Sequence, residues 1–538
     1  MTSSSSTPAA ASAPAAAVPA PTTTAATAPA RATAPARDSR HAPVAVVGGG
    51  PVGMLVAAEL GRYGVPVTVV EQNPDTLDVP KAGTLHARTA QTLARRGYLA
   101  TPEPTVELLG EERAQPFHFA GLPGLTITGP AVEGEPIVGR SQGDLERLFE
   151  RVAREHGATI LRRHRVVALE QDEEEVTLTL EGPDGRSSLR AGHVVGADGA
   201  RSLVREQAGF TYEEHLPRTQ AVLGVVDLED VYAAPAGWTV TERGWTVIGP
   251  NPYGPSRVAA FDFAGPRPDR GTPLTLAELH ATVSRIAGRD IPMRDARFLD
   301  RFSDYARLVH TYRAGRVLLA GDAAHVHFPV GGQGLNLGIQ DAVNLAWRLA
   351  HRLRGWPGAG LLDDYTAERR PPAARTIDNT RAQLALMTPG AAHDPLRSLF
   401  TDLLRNPAVS RQLGDMISDQ DVRLPRTPGQ SAWTGMFLPN LPLLVDGERT
   451  AVARLTRSGR VTLLLLDPDT APALEKAAAP WREAVDVVHA RTQTPLPFTA
   501  VLLRPDGYLA WAGDETADGG PGLERALDVL LGRRVPAP

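Results

Sequence analysis

Residues 44–71 restrict the possible folds of this chain more than any other stretch. Val44-Ala45-Val46-Val47 is an all-apolar run, as expected of a strand buried on both faces of a parallel sheet. It enters Gly48-Gly49-Gly50-Pro51-Val52-Gly53, which fits G-x-G-x-x-G at Gly48, Gly50 and Gly53. Met54 to Tyr63 has helical periodicity with Gly64 as its stop, and Val65 to Val70 is a second apolar strand ending at Glu71 and Gln72. The glycines let backbone N–H groups and a helix N-terminus, at Pro51 and Val52, approach a pyrophosphate. The acid about 20 residues later accepts a bond from a ribose 2′-OH. A tight structural turn explains the glycines alone, but not strand, helix, second strand and acid together. Glu71 would repel a 2′-phosphate, so the pattern fits the ADP moiety of NAD or FAD.

The whole chain has to accommodate that unit. Its 538 residues are too many for one core and should divide into two to four domains. A hydrophobic fraction of 42% and a charged fraction of 22% suit a globular chain, and a net charge of −5 gives no basic field for nucleic acid or anionic membrane. No apolar run reaches membrane-spanning length. The absence of cysteine excludes disulfides, thiol nucleophiles and thiolate metal sites. Residues 1–40, almost all Ala, Pro, Ser and Thr, lack a periodic apolar face and are expected to form a disordered tail. A transit peptide is the rival reading, since the tail is poor in acids and carries Arg31, Arg37 and Arg40. The expected compartment is the cytoplasm.

Two later strands end in an acid and a glycine. His193-Val194-Val195-Gly196-Ala197 leads into Asp198-Gly199, and Arg316-Val317-Leu318-Leu319-Ala320 leads into Gly321-Asp322. Open α/β sheets bind ligands at such strand ends, although Asp-Gly alone is an ordinary turn. A metal site made of Asp322, His325 and His327 would leave the glycines that follow without a role. A flat cofactor uses more of the residues. Asp322 accepts bonds from ribityl hydroxyls, and Gly331, Gly332 and Gly334 leave the backbone bare beside a ring. Leu335-Asn336 open a long apolar helix over 338–353, whose positive end stabilises the negative edge of a reduced flavin. A flavin is therefore expected, with His325, His327 and Tyr312 as packing and hydrogen-bonding groups.

In this order, Gly48–Gly53 with Glu71, Asp198-Gly199 and Gly321-Asp322 resemble the single-component, FAD-dependent aromatic hydroxylases of the p-hydroxybenzoate hydroxylase fold. Lys81-Ala82-Gly83-Thr84-Leu85-His86-Ala87-Arg88-Thr89 and Tyr365-Thr366-Ala367-Glu368-Arg369-Arg370-Pro371 look like the bacterial polyketide hydroxylases of angucycline, anthracycline and tetracycline type. The resemblance runs from about residue 43 to the C-terminus. It implies an α/β fold: a Rossmann-like FAD-binding domain, an antiparallel-sheet substrate domain and a C-terminal thioredoxin-like domain.

The resemblance also implies a site. Gly48, Gly50, Pro51, Val52, Gly53, Glu71 and Gln72 would hold the ADP half of FAD. Lys81 and Arg88 would be basic contacts, Lys81 supplying a point charge where the family usually has the planar fork of Arg. Gln142 would lie near the flavin side chain, Asp198 and Gly199 near the pyrophosphate, and Gly321 and Asp322 at the ribityl chain. Pro329, Gly331, Gly332, Gly334, Leu335 and Asn336 would run beside the isoalloxazine, with Leu335 and Leu337 standing where Met and Thr are more usual. The implied chemistry belongs to the cofactor, with no obligatory catalytic side chain and no metal. NAD(P)H reduces the flavin, and a C4a-(hydro)peroxyflavin formed with O2 passes one oxygen to an electron-rich ring. The protein excludes water and orients the substrate, an aromatic polycyclic polyketide. No second dinucleotide motif is present, so NAD(P)H would dock transiently. Nucleic acid and membrane partners are not expected, and the chain would be a monomer or homodimer. Baeyer–Villiger oxygen insertion and a flavin-bearing binding component without turnover are alternatives. A halogenase would need a lysine near the substrate, and Lys81 and Lys476 are the only ones.

The expected layout is a tail at 1–40, a discontinuous FAD-binding domain at 41–115, 142–216 and 300–380, a middle domain at 116–141 and 217–299, a helical linker at 381–425 and a thioredoxin-like domain at 426–538. Gln142 to His156 is an amphipathic helix, and Gly182-Pro183-Asp184-Gly185 turns a hairpin. Ala221–Asp227 and Arg257–Phe263 alternate as strands of a sheet roofing the substrate, with Asp262 facing solvent and given no role. Val461–Asp467, Val485–Val488, and Phe498–Trp511 turning at Arg504-Pro505-Asp506-Gly507 precede a helix over Gly522–Leu531. Without cysteine that module does no thiol redox and is expected to be structural or an interface.

Overall fold

The computed structural model describes residues 39–100, 103–263, 272–358, 360–492, 495–513 and 519–533. The expected tail lies outside these residues except Ser39 and Arg40, which already belong to the first strand, Ser39–Val47. No helix among the described residues is long and apolar enough to cross a membrane.

The first strand lies between Val67–Glu71 and Gly185–Gly196, parallel to both, with Val44 opposite Val67 and His193. Thr159–Arg162 extends this sheet on one side and Val317–Leu319 on the other. Three parallel strands thus end, at Val47, Glu71 and Gly196, on the same edge. The Pro51–Arg62 helix begins with proline in its first turn, where the missing N–H costs nothing. It packs against the Gln142–Glu155 and Gly334–Leu353 helices.

A five-stranded antiparallel sheet forms the second layer, in the order Gly237–Thr241, Gly244–Gly249, Ser256–Asp262, Gln220–Leu228 and Met293–Ser303. Alternation divides its two faces. Val222, Val226, Val258 and Ala260 pack on the Leu276–Ala287 helix, through Leu279, Val283 and Ile286. Ala221, Leu223, Ala259 and Phe261 face a cluster that contains Phe328 and Val330. Asp262 does not face solvent: it is 5% exposed and paired with Arg285 of that helix. The helix lies so close to the sheet that a Cβ on Gly224 would meet Leu279 Cδ2 at 2.2 Å.

The C-terminal module is a four-stranded sheet in the order Val485–His489, Val461–Leu465, Ala500–Leu503 and Leu509–Gly513. Leu463, Leu465, Leu502 and Trp511 share one apolar core with the first sheet, whereas Leu464, Val501 and Leu503 face a separate cluster. The Gly334–Leu353 helix is buried almost throughout, from Asn336 to His351. Its polar residues must therefore find partners inside the protein. Asn344 donates to Glu368 Oε2 at 2.8 Å, and Trp347 Nε1 to Asp506 Oδ2 at 3.1 Å. Arg348 pairs with Glu368 at 2.6 Å, and Arg504 grips the same carboxylate with two bonds of 2.7 and 2.8 Å. The motif around Glu368 is a set of tertiary ties. Tyr365 O–H donates to the Leu319 carbonyl, Thr366 Oγ accepts from Tyr312 N–H, and Arg370 donates to the Val309 carbonyl and pairs with Glu213. The helix carrying these groups runs from Gly360 to Met387, so a division at residue 380 falls inside one helix.

Burial opposes ionisation of Glu368, but Arg348 and Arg504 outweigh it and hold the carboxyl far below the usual range. Replacing Glu368 with Ala should cost about 3–5 kcal/mol, because buried Arg348 loses its counter-ion and buried Arg504 keeps only Asp506. The expected result is a lowered thermal midpoint with the C-terminal module cut first in limited proteolysis. Because the folded-state pKa is depressed, the contribution is complete above the usual carboxylate range, about pH 4. It should fade only as acid protonates the group, which a thermal midpoint followed downward in pH will show.

Candidate cofactor and substrate site

The ends of the parallel strands open into a cleft of about 870 Å³. Gly48, Gly50, Glu71, Gln72, Lys81, Gln142, Asp198 and Gly199 line it together. The glycines there differ in purpose. Gly48 has φ +102°, and a Cβ on it would strike the Ala197 carbonyl oxygen at 2.4 Å. A Cβ on Gly53 would meet the Gly48 carbonyl oxygen at 2.0 Å. Both are needed by the protein's own packing. Gly50 has nothing within 4 Å, so its missing side chain leaves a bare cradle over the start of the helix, as a pyrophosphate requires. Glu71 is buried, accepts the Gly49 N–H at 2.6 Å and the Asn73 N–H at 2.7 Å, and keeps lone pairs for a ribose hydroxyl. Asp198 accepts from Val204 N–H through Oδ2 while Oδ1 is buried without a partner, and burial raises its carboxyl pKa. These donors and acceptors fit an adenine dinucleotide.

The second group of expected contacts is built by the Gly334–Leu353 helix. Asp341 Oδ2 accepts the Gly321 N–H at 3.1 Å and pairs with His325 Nε2 at 2.7 Å; Arg369 Nε donates to Oδ1 at 2.8 Å. Gly321 is held at φ +62°, which leaves the neighbouring Asp322 exposed. Gly331 and Gly332 have φ +79° and +66°, and Pro329 and Gly332 are exposed while Gly331 is buried. At the helix start Gly334, Leu335 and Asn336 offer first-turn N–H groups that no helix satisfies from within.

Beside this glycine turn stands an aromatic wall. His86 donates to the Gly331 carbonyl at 2.8 Å and meets Phe117 edge-on at 5.3 Å. Phe117 stacks with His118, His118 lies 4.9 Å from Trp238, and Trp238 stacks on Phe261 at 5.4 Å. Phe261 contacts Phe328, which returns the wall to the residue before Pro329. Burial pushes both His86 and His118 down to about 4, so both rings are neutral at pH 7. A chain of three buried amides braces the wall. Ala120 N–H donates to Gln383 Oε1 at 2.9 Å, Gln383 Nε2 to Asn379 Oδ1 at 3.2 Å, and Asn379 Nδ2 to Gln333 Oε1 at 3.0 Å. The backbone N–H at one end is a donor by necessity, so it sets the direction of all three amides.

Some expected contacts lie elsewhere. Arg88 is not in the cleft: its guanidinium lies 3.7 Å from the Phe437 ring and donates to Gln91, Asp419 and Gln420. The Asn336 amide is spent on His86 N–H and on the Thr84 and Gly332 carbonyls, so only its backbone can face a ligand. Val52 is wedged between Gly321 and Gly338, and Pro51 is buried in the helix start. Asp322, His325 and His327 do not converge, since His325 turns to Asp341 and His327 Nδ1 to the Phe328 carbonyl. The sequence reading missed Asn73, Val79, Glu146, His164 and Arg201 on the cleft, and Gln383 and His118 at the wall. None of these belongs to a motif; only proximity to Glu71 and Asp198 marks a few. Replacing Gln383 with Leu should leave the Ala120 N–H and the Asn379 carbonyl unpaired. The cost should be about 1–3 kcal/mol, read as a fall in thermal midpoint.

Comparison with known proteins agrees with this geometry. Residues 41–380 match the family model of an FAD binding domain, and residues 431–534 match that of an aromatic-ring hydroxylase C-terminal domain. The chain is 36% identical over 504 residues to a 12-dehydrotetracycline 5-monooxygenase/anhydrotetracycline 6-monooxygenase of Streptomyces rimosus, covering 91% of this chain and 98% of that one. A solved aromatic hydroxylase from angucycline biosynthesis superposes with a TM-score of 0.81 at 35% identity, over 92% of this chain and 100% of the other. A Diels-Alderase of pyrroindomycin biosynthesis superposes with a TM-score of 0.76 at 32% identity, over 92% of this chain and 100% of the other.

Proposed function

Because this chain belongs to the FAD-binding aromatic-ring hydroxylases, flavoprotein monooxygenases of the p-hydroxybenzoate hydroxylase fold, we propose that it hydroxylates a polycyclic aromatic polyketide in the biosynthesis of an antibiotic or related secondary metabolite. FAD, when bound, supplies the redox chemistry by which NAD(P)H and O2 are consumed and one oxygen atom enters the substrate. The chain supplies position and shelter. Gly50 and the helix start receive the pyrophosphate, Glu71 the ribose, and Lys81 a phosphate by charge alone. Asp198 stands near the pyrophosphate, Asp322 accepts hydroxyls of the ribityl chain, and the Pro329–Asn336 backbone borders the ring.

The observation that carries the substrate class is the aromatic wall. It joins Gly331 to Phe328 through His86, Phe117, His118, Trp238 and Phe261, and it contains no charged side chain. Such a surface gains from burying a planar apolar ring system and offers no counter-charge to a charged metabolite. A substrate seated against this wall is oriented and shielded from water there; the chemistry asks of the protein only that and a proton for the leaving oxygen.

Incubating the FAD-loaded protein with tetracyclic and angucyclic phenols should produce NAD(P)H oxidation that depends on the substrate, with a product heavier by one oxygen. A lactone or ring-opened product would replace hydroxylation by oxygen insertion. A new ring formed without NAD(P)H loss would align the chain with the Diels-Alderase that shares its fold. Replacing Asp322 with Ala should leave a folded protein whose FAD affinity falls by about tenfold, a charge-assisted hydrogen bond being lost. Full yellow occupancy after gel filtration of that variant would remove Asp322 from the ribityl contact.

A further inference from the structure

The strand pair Glu112–Phe119 and Leu122–Pro130 forms a hairpin whose register shifts between Phe117 and His118. Successive residues of a strand ordinarily point to opposite faces; this bulge brings both rings onto one face, stacked at 4.7 Å and 16°. The hairpin tip is Ala120-Gly121, both left-handed at φ +56° and +76°. Gly121 N–H donates to His118 Nδ1 at 3.3 Å. A ring nitrogen that accepts a bond carries no proton, so the proton of the neutral imidazole sits on Nε2.

That arrangement is held from two sides. The amide chain from Gln383 through Asn379 to Gln333 fastens Ala120, and a Cβ on Gly121 would meet Trp238 at 2.9 Å and Trp245 at 3.0 Å. Two neighbouring polar hydrogens are used internally: Trp245 Nε1–H by the Met387 carbonyl and His86 Nε2–H by the Gly331 carbonyl. Among the described residues the His118 Nε2–H donates to nothing. The half-buried ring therefore presents a donor of fixed identity between Phe117 and Trp238.

We propose that His118 determines specificity, its Nε2–H donating to a carbonyl or phenolic oxygen on the rim of a planar polycycle seated against Phe117 and Trp238. This rests on the polycyclic aromatic substrate proposed above. The donor rejects ring systems that lack an oxygen at that rim, because binding them would bury an N–H without a partner.

The test uses the full-length, FAD-loaded protein and two probes, 1,8-dihydroxy-9,10-anthraquinone and anthracene, with binding followed by quenching of tryptophan fluorescence. His118→Phe keeps an aromatic ring but has no proton to donate; His118→Gln places an amide donor near the Nε2 position. We expect His118→Phe to bind the dihydroxyanthraquinone about tenfold more weakly and anthracene more tightly than the wild type, since no N–H is then buried without a partner, with His118→Gln restoring most of the difference. His118→Met gives the same comparison if Phe prevents folding. Equal losses for both probes would reduce His118 to a packing residue, and unchanged binding of both would dismiss the proposal. If the wild-type protein bound neither probe, the polycyclic substrate itself would fall, and the role of His118 with it.

Discussion

One buried carboxylate holds up the part of the site where a flavin ring would lie. Asp341 is 0% exposed inside a helix that is itself enclosed, and its two oxygens receive the Gly321 N–H, His325 and Arg369. Burial opposes its ionisation; His325 and Arg369 overcome that opposition and keep the carboxyl below the usual range. Through Gly321 the carboxylate fixes the turn that presents Asp322. Arg369 also donates to the Leu337 carbonyl, which ties the turn to the helix that begins at Gly334. An unpaired charge at that depth would cost several kcal/mol, so all the partners stand or fall together.

The same logic explains why the C-terminal module is fused to the catalytic half. A helix buried on nearly every side has to place Asn344, Trp347 and Arg348 against partners it does not carry. Glu368 comes from the neighbouring helix, while Arg504 and Asp506 come from a turn of the C-terminal sheet. The module lacks any thiol, and its work in this chain is to complete that network and to close the apolar core over Leu463, Trp481 and Trp511. The helix so enclosed is the one whose first turn borders the glycines.

The two halves of the site use opposite physics. The cleft around Glu71 and Asp198 is polar and open, suited to a ligand rich in phosphate and hydroxyl groups. The wall from His86 to Phe328 is apolar, and its imidazoles are kept neutral by burial. The glycine turn is the boundary between them. Its carbonyl at Gly331 binds His86 of the wall, and its backbone leads into the helix start on the other side. A cofactor can be gripped at one end and exposed to an apolar substrate at the other.

Strand order around the glycine motif, the acids at strand ends, the alternation of the middle sheet and the turn at Arg504–Gly507 were all legible in the chain, because each depends on neighbours within a few residues. So was the likeness of the motifs. Side-chain destinations were not. Arg88 matched a motif yet stacks on Phe437, more than three hundred residues away, and Asn336 spends its amide on a strand 250 residues earlier. Asp262 had the parity of an outward residue but meets Arg285 of a helix laid over that face. His118 and Gln383 belong to no pattern; a bulge and a backbone N–H give them their orientation. Local periodicity and backbone freedom act along the chain and can be read from it. The partner of a buried polar group is set by whichever segment arrives beside it, and only the folded structure decides that.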